Sequence, residues 1–160
     1  MTGVQTCALP ICWRIGWVIA PPSLAAPINL VHRTFTGALN TFVQVAAQAA
    51  LSVSAAELAA QATEYELRRD IVLEWLDTLD LVTLNRPQGA FYAFPRVHLP
   101  LLSEELVDAC SRGGVLVRSG REFGPSGEGH LRLSFATDVD SLRLGLDRFA
   151  TVLRVLDAQG

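Results

Sequence analysis

The sequence contains no lysine, since arginine occupies all thirteen of its Lys and Arg positions. This bias is typical of a GC-rich genome, and it excludes any chemistry that needs a lysine amine. Charged residues form 18% of the 160 residues and the formal net charge is −3, so we expect no nucleic-acid surface and no cationic membrane-binding face. Half of the residues are hydrophobic, which is typical of a soluble globular chain with the length of one domain.

Cysteine and recognisable targeting signals are also scarce. Cys7, Cys12 and Cys110 show neither metal-ligand nor disulfide spacing, which favours a reducing cytoplasm. The N-terminus lacks the basic n-region and clean apolar core of a signal peptide. Three prolines between residues 21 and 27 interrupt the most apolar stretch, so no transmembrane span is predicted.

The first third of the chain combines one strand-like segment with helical segments. Residues 13–20, WRIGWVIA, predict a buried strand with Arg14 and Gly16 on the face opposite the large apolar side chains. Residues 24–35 and 40–53 predict two helices. Ser54 to Glu57 form a capping box that opens a long helix. The apolar residues of this predicted helix are Leu67, Ile71, Leu73, Trp75, Leu76 and Leu79.

From residue 81 onward the pattern alternates between strands and helices. The predicted strands are 81–85, 90–97, 115–120 and 130–137, and a turn at 86–89 joins the first two. A helix over 103–114 is expected to be capped by Ser103, and a last helix begins near Asp138 or Asp140. These residues predict a small α/β domain that could fold alone.

Two arginines are candidates for anion binding. Alternation in HLRLSFAT puts Leu131, Leu133 and Phe135 on one strand face and Arg132 on the other, where its planar fork suits a carboxylate. A structural ion pair or an exposed sheet face would explain Arg132 equally well. Arg14 lies beside Gly16 and suits a phosphate or a carboxylate, or it is a solvated edge-strand residue.

Other polar features are less informative. Glycines 120, 124, 127 and 129 precede Arg132 and allow close approach of a ligand, although an ordinary surface loop has the same composition. His32, His98 and His130 are scattered without neighbouring acids or cysteines, so neither a metal site nor a catalytic triad is predicted.

Four motifs follow one another along the chain in the order WRIGWVIAP, ELRRDIVLEWLDTL, RPQGAFYAFPRV and VLVRSGREFGPSGEGHLRLSFAT. Over residues 13–155 the chain resembles the C-terminal part of pyridoxal-phosphate-dependent aminotransferases of fold type I, class I/II. The resemblance implies the end of a large cofactor-binding domain at 13–53 and a small C-terminal α/β domain at 54–160, with a mostly antiparallel sheet flanked by helices. It also implies that Arg14 binds the cofactor phosphate and Arg132 the substrate α-carboxylate. Ser119 departs from the family, which commonly has proline there, and a looser loop is expected.

The resemblance also implies what this chain lacks. The family's Schiff-base lysine, which binds pyridoxal 5'-phosphate covalently, precedes the Gly-Trp-Arg strand, and this chain has no lysine. We therefore assign no catalytic residue and expect the chain itself to be inactive. The parent protein is expected to be a cytoplasmic homodimer that transfers an amino group between an amino acid and a 2-oxo acid. A lyase or synthase of the same fold and a non-enzymatic ligand-binding α/β module remain alternatives.

The first residues do not fit the family. MTGVQTCALPI resembles the conceptual translation of a short-read sequencing adapter, with GTG read as the initiator Met1. The leftover adapter base would also convert a glycine codon into that of Cys12. We therefore expect residues 1–12 to be an artefactual prefix.

Overall fold

The computed structural model describes residues 14–159. The predicted prefix at 1–12 and Trp13 lie outside the described residues. The chain divides into two compact units between Leu58 and Ala59, and each unit is described by itself. The assignment of residues 13–53 and 54–160 to two parent domains stays a prediction.

Five α-helices, five short β-strands and two 3₁₀ turns form the described part of the chain. The helices are α1 Pro22–Phe35, α2 Thr41–Ala50, α3 Ala55–Leu76, α4 Ser103–Arg112 and α5 Val139–Asp157. The strands are β1 Val82–Thr83, β2 Tyr92–Ala93, β3 Arg96–Val97, β4 Arg118–Ser119 and β5 Leu131–Ser134. The 3₁₀ turns, Gly120–Phe123 and Pro125–Gly127, separate β4 from β5.

The first unit contains α1 and α2, as predicted. Pro22 occupies the first turn of α1, where its missing N–H is tolerated, and Asn40 caps α2 by accepting the Phe42 N–H at 3.1 Å. The predicted strand at 13–20 is wrong for its described part, because residues 14–20 form no strand. A buried strand needs partners for its N–H and C=O groups, and no described strand pairs with this segment.

The long helix α3 begins at the predicted capping box. The Ser54 N–H donates to the Glu57 carboxylate at 3.0 Å and the Glu57 N–H donates to the Ser54 hydroxyl at 3.2 Å. Leu67 is 51% exposed, so this apolar residue of the helix lies outside the core. The buried side chains lie in the last two turns of the helix: Ile71, Val72, Leu73 and Leu76. All of them except Leu73 belong to the core cluster of the second unit.

The second unit contains two antiparallel sheets, as the α/β assignment predicts. β1 pairs with β3, and β5 is the central strand between β2 and β4. The predicted continuous strand at 90–97 is divided, because β2 and β3 join different sheets. Pro95, which lacks a donor N–H, lies between them, and its carbonyl accepts the Leu131 N–H at 3.0 Å.

The core of the second unit lies between β5 and the helices. Alternation in β5 is confirmed, since Leu131, Leu133 and Phe135 are buried. They belong to one cluster with the buried apolar residues of α5, Leu142, Leu146, Phe149 and Leu153. Asp138 caps α5, accepting the Ser141 N–H at 2.8 Å. Burial raises the pKa of the Cys110 thiol to about 11, so this cysteine acts as a small neutral core residue.

In the described part of the chain, no single helix has the length and apolar character to cross a bilayer, and only α2 and α3 taken as a bent pair meet both criteria.

Candidate functional site

Arg132 lies on β5 between two aromatic rings. Its guanidinium carbon is 4.3 Å from the centroid of the Tyr92 ring and 4.8 Å from that of Phe123. Tyr92 reaches this position because it pairs with Ser134, two residues along β5. Phe123 belongs to the 3₁₀ turn that precedes the strand. The two rings hold the guanidinium by cation–π contacts and limit its freedom to rotate.

The Arg132 guanidinium has no hydrogen bond or ion pair with any described residue. Among residues 14–159 it is the only half-buried arginine without such a partner, because Arg68 pairs with Glu64 and Arg69 pairs with Asp70. A structural ion pair therefore does not explain Arg132 in this part of the chain. Its donors remain available to an anion, and a carboxylate matches their fork.

The glycine-rich segment before β5 is folded into two tight turns. A Cβ atom on Gly127 would lie 2.0 Å from the Gly120 carbonyl oxygen, so the absence of side chains allows the two turns to pack together. Gly124 has a φ of 124°, which glycine adopts without strain. The close approach that these glycines allow is therefore between backbone segments, and it places Phe123 over Arg132.

Contacts with the N-terminus of α4 hold the end of this segment. The Ser103 N–H donates to Glu128 Oε1 at 2.7 Å, and the Gly129 N–H donates to the Ser103 hydroxyl at 2.8 Å. The prediction that Ser103 caps α4 is wrong, since Leu102 is the N-cap residue. The buried Ser103 hydroxyl binds the glycine segment, while Glu105 accepts the Leu102 N–H at 2.7 Å.

A charged pair lies beside Arg132. Arg118 is the direct cross-strand partner of Arg132, and its Nε lies 3.0 Å from each carboxylate oxygen of Glu122. The hydrogen bond from Arg118, aided by the charges of Arg118 and Arg132, lowers the pKa of Glu122 despite partial desolvation. Neither this pair nor the two rings around Arg132 was predicted from the sequence. The four-residue spacing of Arg118 and Glu122 was the available signal for the pair.

Arg14 lies in the first unit and Arg132 in the second. Arg14 is exposed with a φ of 56°, and it has no hydrogen-bonding or ion-pairing partner among residues 14–159. It borders a groove of about 890 Å³. The groove also carries the polar side chains of Asn29, His32 and Thr36. An unpaired guanidinium with polar neighbours fits a phosphate group.

The histidines take separate positions in the described chain. His98 contacts the Thr83 hydroxyl at 3.0 Å, and His130 stacks on Phe94 with ring centroids 5.1 Å apart. Within residues 14–159 no group of three or more His, Cys, Asp or Glu side chains is arranged to hold a metal ion.

Comparisons with known proteins agree with this architecture. The family model of aminotransferase class I and II matches residues 11–149. An aspartate aminotransferase of Pyrococcus horikoshii is 32% identical over 145 residues, covering 88% of this chain and 37% of that protein. The arginine–pyruvate transaminase AruH of Pseudomonas aeruginosa is 34% identical over 143 residues, covering 86% of this chain and 36% of that protein.

Solved structures are similar as well. A mutant Thermus thermophilus aspartate aminotransferase complexed with tryptophan has a TM-score of 0.77 and 34% identity, covering 93% of this chain and 40% of that chain. The chain belongs to the class I and II aminotransferase family, and its fold is that of fold type I aminotransferases. The predicted family is thereby confirmed, and the chain spans about 37% of the length of the curated relatives it matches.

Proposed function

We propose that this chain is the C-terminal part of a pyridoxal-phosphate-dependent aminotransferase, and that Arg132 binds the α-carboxylate of its amino-acid and 2-oxo-acid substrates. The observation that carries the proposal is the half-buried Arg132 guanidinium, which lies between two rings and lacks a partner among the described residues. Family membership makes amino-group transfer the reaction that such a carboxylate site would serve.

In this proposal Arg132 fixes the orientation of the substrate. A carboxylate bound to two parallel N–H donors has its plane defined by the guanidinium, so the rest of the substrate extends in a set direction. Tyr92 and Phe123 hold the cation before binding, which reduces the entropy lost when the complex forms. Because amino acids and 2-oxo acids share the carboxylate, one arginine serves both substrates.

The phosphate of pyridoxal 5'-phosphate is assigned to Arg14. The exposed guanidinium and the polar groove beside it fit a phosphate, so the residues present match this end of the cofactor. When bound, pyridoxal phosphate supplies the electron sink for amino-group transfer. The chain has no lysine for a covalent bond to the cofactor. We therefore expect no transamination by the chain on its own.

The parent protein is proposed to work as a homodimer in the cytoplasm. α1 has no buried side chain although it carries several large apolar residues, so in the parent protein this helix needs a packing partner, from the same subunit or from a second one. The relatives are named for different substrates, aspartate in one case and arginine with pyruvate in another, so the proposal concerns amino acids and 2-oxo acids as a class.

Carboxylate titration of the 160-residue chain tests the role of Arg132. Acetate is the minimal probe, and NMR follows the Arg132 Nε–H and neighbouring amides. We expect saturable shifts, and binding about tenfold weaker in Arg132→Lys, because lysine keeps the charge and loses the fork. Arg154→Lys, an exposed change on α5, is the control and should bind like the parent chain. Equal affinity in Arg132→Lys, or no saturable shift at Arg132, would contradict the assignment.

Sequencing the source DNA upstream of the Trp13 codon tests the parent enzyme. An open frame that continues upstream and encodes a lysine shortly before Trp13 supports the aminotransferase. A genomic GTG start directly before the present prefix would overturn it and leave the ligand-binding module.

A further inference from the structure

Three charged side chains share the sheet face that carries the proposed carboxylate site. Arg118 and Arg132 are direct partners across the antiparallel β4–β5 pair, so their side chains project from the same face. Glu122 immediately precedes Phe123, whose ring covers the Arg132 guanidinium at 4.8 Å. Two cations and one carboxylate therefore lie side by side, and either cation is a plausible partner for Glu122 by chemistry alone.

The described structure pairs Glu122 with Arg118 and leaves Arg132 free. Arg118 Nε is 3.0 Å from both carboxylate oxygens, and Arg118 Nη2 forms a further close contact with Oε2. The contacts from Arg118, together with a hydrogen bond from the Ser119 N–H, occupy most of the roughly four lone-pair sites of the Glu122 carboxylate, which leaves little acceptor capacity for a second guanidinium. Glu122 thus pairs with one of two neighbouring arginines, and this pairing leaves the guanidinium of the other, Arg132, available to a ligand.

We propose that Arg118 is a positioning residue that holds Glu122 and thereby keeps the Arg132 guanidinium open to the carboxylate of a ligand. The inference rests on the proposed function of Arg132 as a carboxylate site. It assigns Arg118 no contact with the ligand, and it makes Glu122 an internal competitor that is restrained in the folded chain.

Removal of Arg118 should convert Glu122 into an inhibitor of the site. Without its fork, Glu122 keeps the attraction of the Arg132 charge, which already acts on it in the folded chain, and a carboxylate held on the adjacent turn has a high effective concentration there. An external carboxylate then has to displace Glu122 before it binds. Arg118 is 60% exposed at its side chain, so Arg118→Met removes the charge without opening a cavity in the core.

A four-member variant cycle tests the inference, with acetate as the probe: the parent chain, Arg118→Met, Glu122→Gln and the double variant. We expect acetate binding about tenfold weaker in Arg118→Met, which corresponds to ~1.4 kcal/mol. Glu122→Gln should bind at least as tightly as the parent chain, and the double variant should recover the parent affinity. Unchanged binding in Arg118→Met would overturn the inference. A double variant as weak as Arg118→Met would overturn it too, because Arg118 would then contact acetate itself.

Two further readouts exclude a general effect of charge or of folding. In Arg118→Met without acetate, the Arg132 Nε–H resonance should shift and its exchange with water should slow, because Glu122 has bound it. No such change in the ligand-free variant would contradict the inference. The ratio of acetate affinity in this variant to that in the double variant should also rise toward one as pH falls and Glu122 becomes protonated, because protonation of acetate itself weakens binding to both variants equally.

Failure of the proposed function gives a different pattern. If acetate binds equally well to the parent chain and to Arg132→Lys, Arg132 is not the carboxylate site, whatever Arg118 does. The ligand-free Arg132 Nε–H resonance reports on Glu122 independently of that result. The two ideas can therefore fail separately.

Discussion

At the scale of single residues, the environment of Arg132 shows how a half-buried cation is kept without an ion pair. The faces of Tyr92 and Phe123 each offer a partial negative potential, and a cation–π contact contributes about 0.5–1 kcal/mol at a partly exposed site. The guanidinium edge remains accessible, so its N–H groups are not desolvated in the absence of a ligand. This arrangement is stable as it stands and still favours an anion.

Ser119 has a side-chain hydroxyl that does not stabilise the fold. Its hydroxyl is buried and has no hydrogen-bond partner among the described residues, and its φ is −62°, which suits proline. The Gly120 N–H already donates to the His130 carbonyl at 2.8 Å, so ladder alternation leaves the Ser119 N–H outside the β4–β5 bonds.

We therefore expect Ser119→Ala to raise the free energy of unfolding by about 1 kcal/mol, because it removes a buried hydroxyl that lacks a partner and keeps the N–H that donates to Glu122. Urea unfolding measures the change. Ser119→Pro is the comparison and should stabilise less than alanine, because it removes the same hydroxyl together with that N–H. An alanine variant no more stable than the parent chain would contradict the prediction.

The Glu128 carboxylate should make stability depend on pH. Hydrogen bonds from the Ser103 backbone and side chain, followed by the Gly129 N–H and Arg121, lower its pKa below the ordinary 4.5 despite some desolvation. A lowered pKa in the folded state means that the stabilisation is full above the unfolded pKa and is lost as pH falls through the folded value.

Glu128→Gln should therefore lower the melting temperature at neutral pH, and the difference from the parent chain should shrink as pH falls below the ordinary glutamate pKa. Thermal unfolding at a series of pH values measures this. Glu74→Gln, an exposed change in α3, is the matched control. A deficit in Glu128→Gln that stays constant down to the most acidic pH would show that the carboxylate charge contributes nothing.

At the scale of secondary-structure elements, the helices were more predictable than the strands. Local signals define α3 and α5, because Ser54 with Glu57 and Asp138 cap their first turns within the sequence itself. Strand limits depend on pairing with distant residues. The 90–97 segment therefore became two strands in two sheets, and residues 14–20 formed none without a described partner.

The candidate site was predictable only in part. Alternation in β5 was enough to set Arg132 apart from the buried face of its strand. The neighbours of Arg132 could not be predicted from the sequence. Tyr92 reaches Arg132 through the register of β2 on β5, and Phe123 reaches it through the packing of two 3₁₀ turns. The choice of Arg118 as the partner of Glu122 likewise depends on three-dimensional placement.

The glycines of the 3₁₀ turns and of α5 provide a contrasting pair of substitutions. Gly127→Ala places a Cβ 2.0 Å from the Gly120 carbonyl oxygen, so the turns must separate, at an expected loss of about 1–3 kcal/mol. Gly145 has no atom within 4 Å of an added Cβ and lies inside α5, so Gly145→Ala should stabilise by roughly 0.5–1 kcal/mol.

Urea unfolding measures both glycine variants, and acetate titration adds a functional readout. Gly127→Ala should also weaken acetate binding, because displaced turns carry Phe123 away from Arg132. Gly145→Ala should leave it unchanged. Parent-like stability in Gly127→Ala would show that the two turns do not need their close contact.

At the scale of the whole molecule, the first unit leaves an apolar surface uncovered. Leu24, Ile28, Val31 and Phe35 recur at four- and three-residue intervals along α1, so they form one stripe on the helix. All four are exposed, from 43% for Ile28 to 84% for Phe35. Helices of this kind bury their apolar stripe against another element, and the described residues do not cover this one.

We therefore expect the isolated chain to self-associate through the α1 stripe. Light scattering after size-exclusion chromatography should give a mass above that of the monomer, increasing with protein concentration. Val31→Gln with Phe35→Gln should shift the mass toward the monomer, because two polar side chains interrupt the stripe without touching a buried residue.

Leu116→Gln is the control, at a single residue that is 88% exposed in the second unit. It should leave the mass unchanged, since an isolated apolar side chain does not create a patch. If Leu116→Gln reduces association and the α1 double variant does not, the contact surface lies in the second unit.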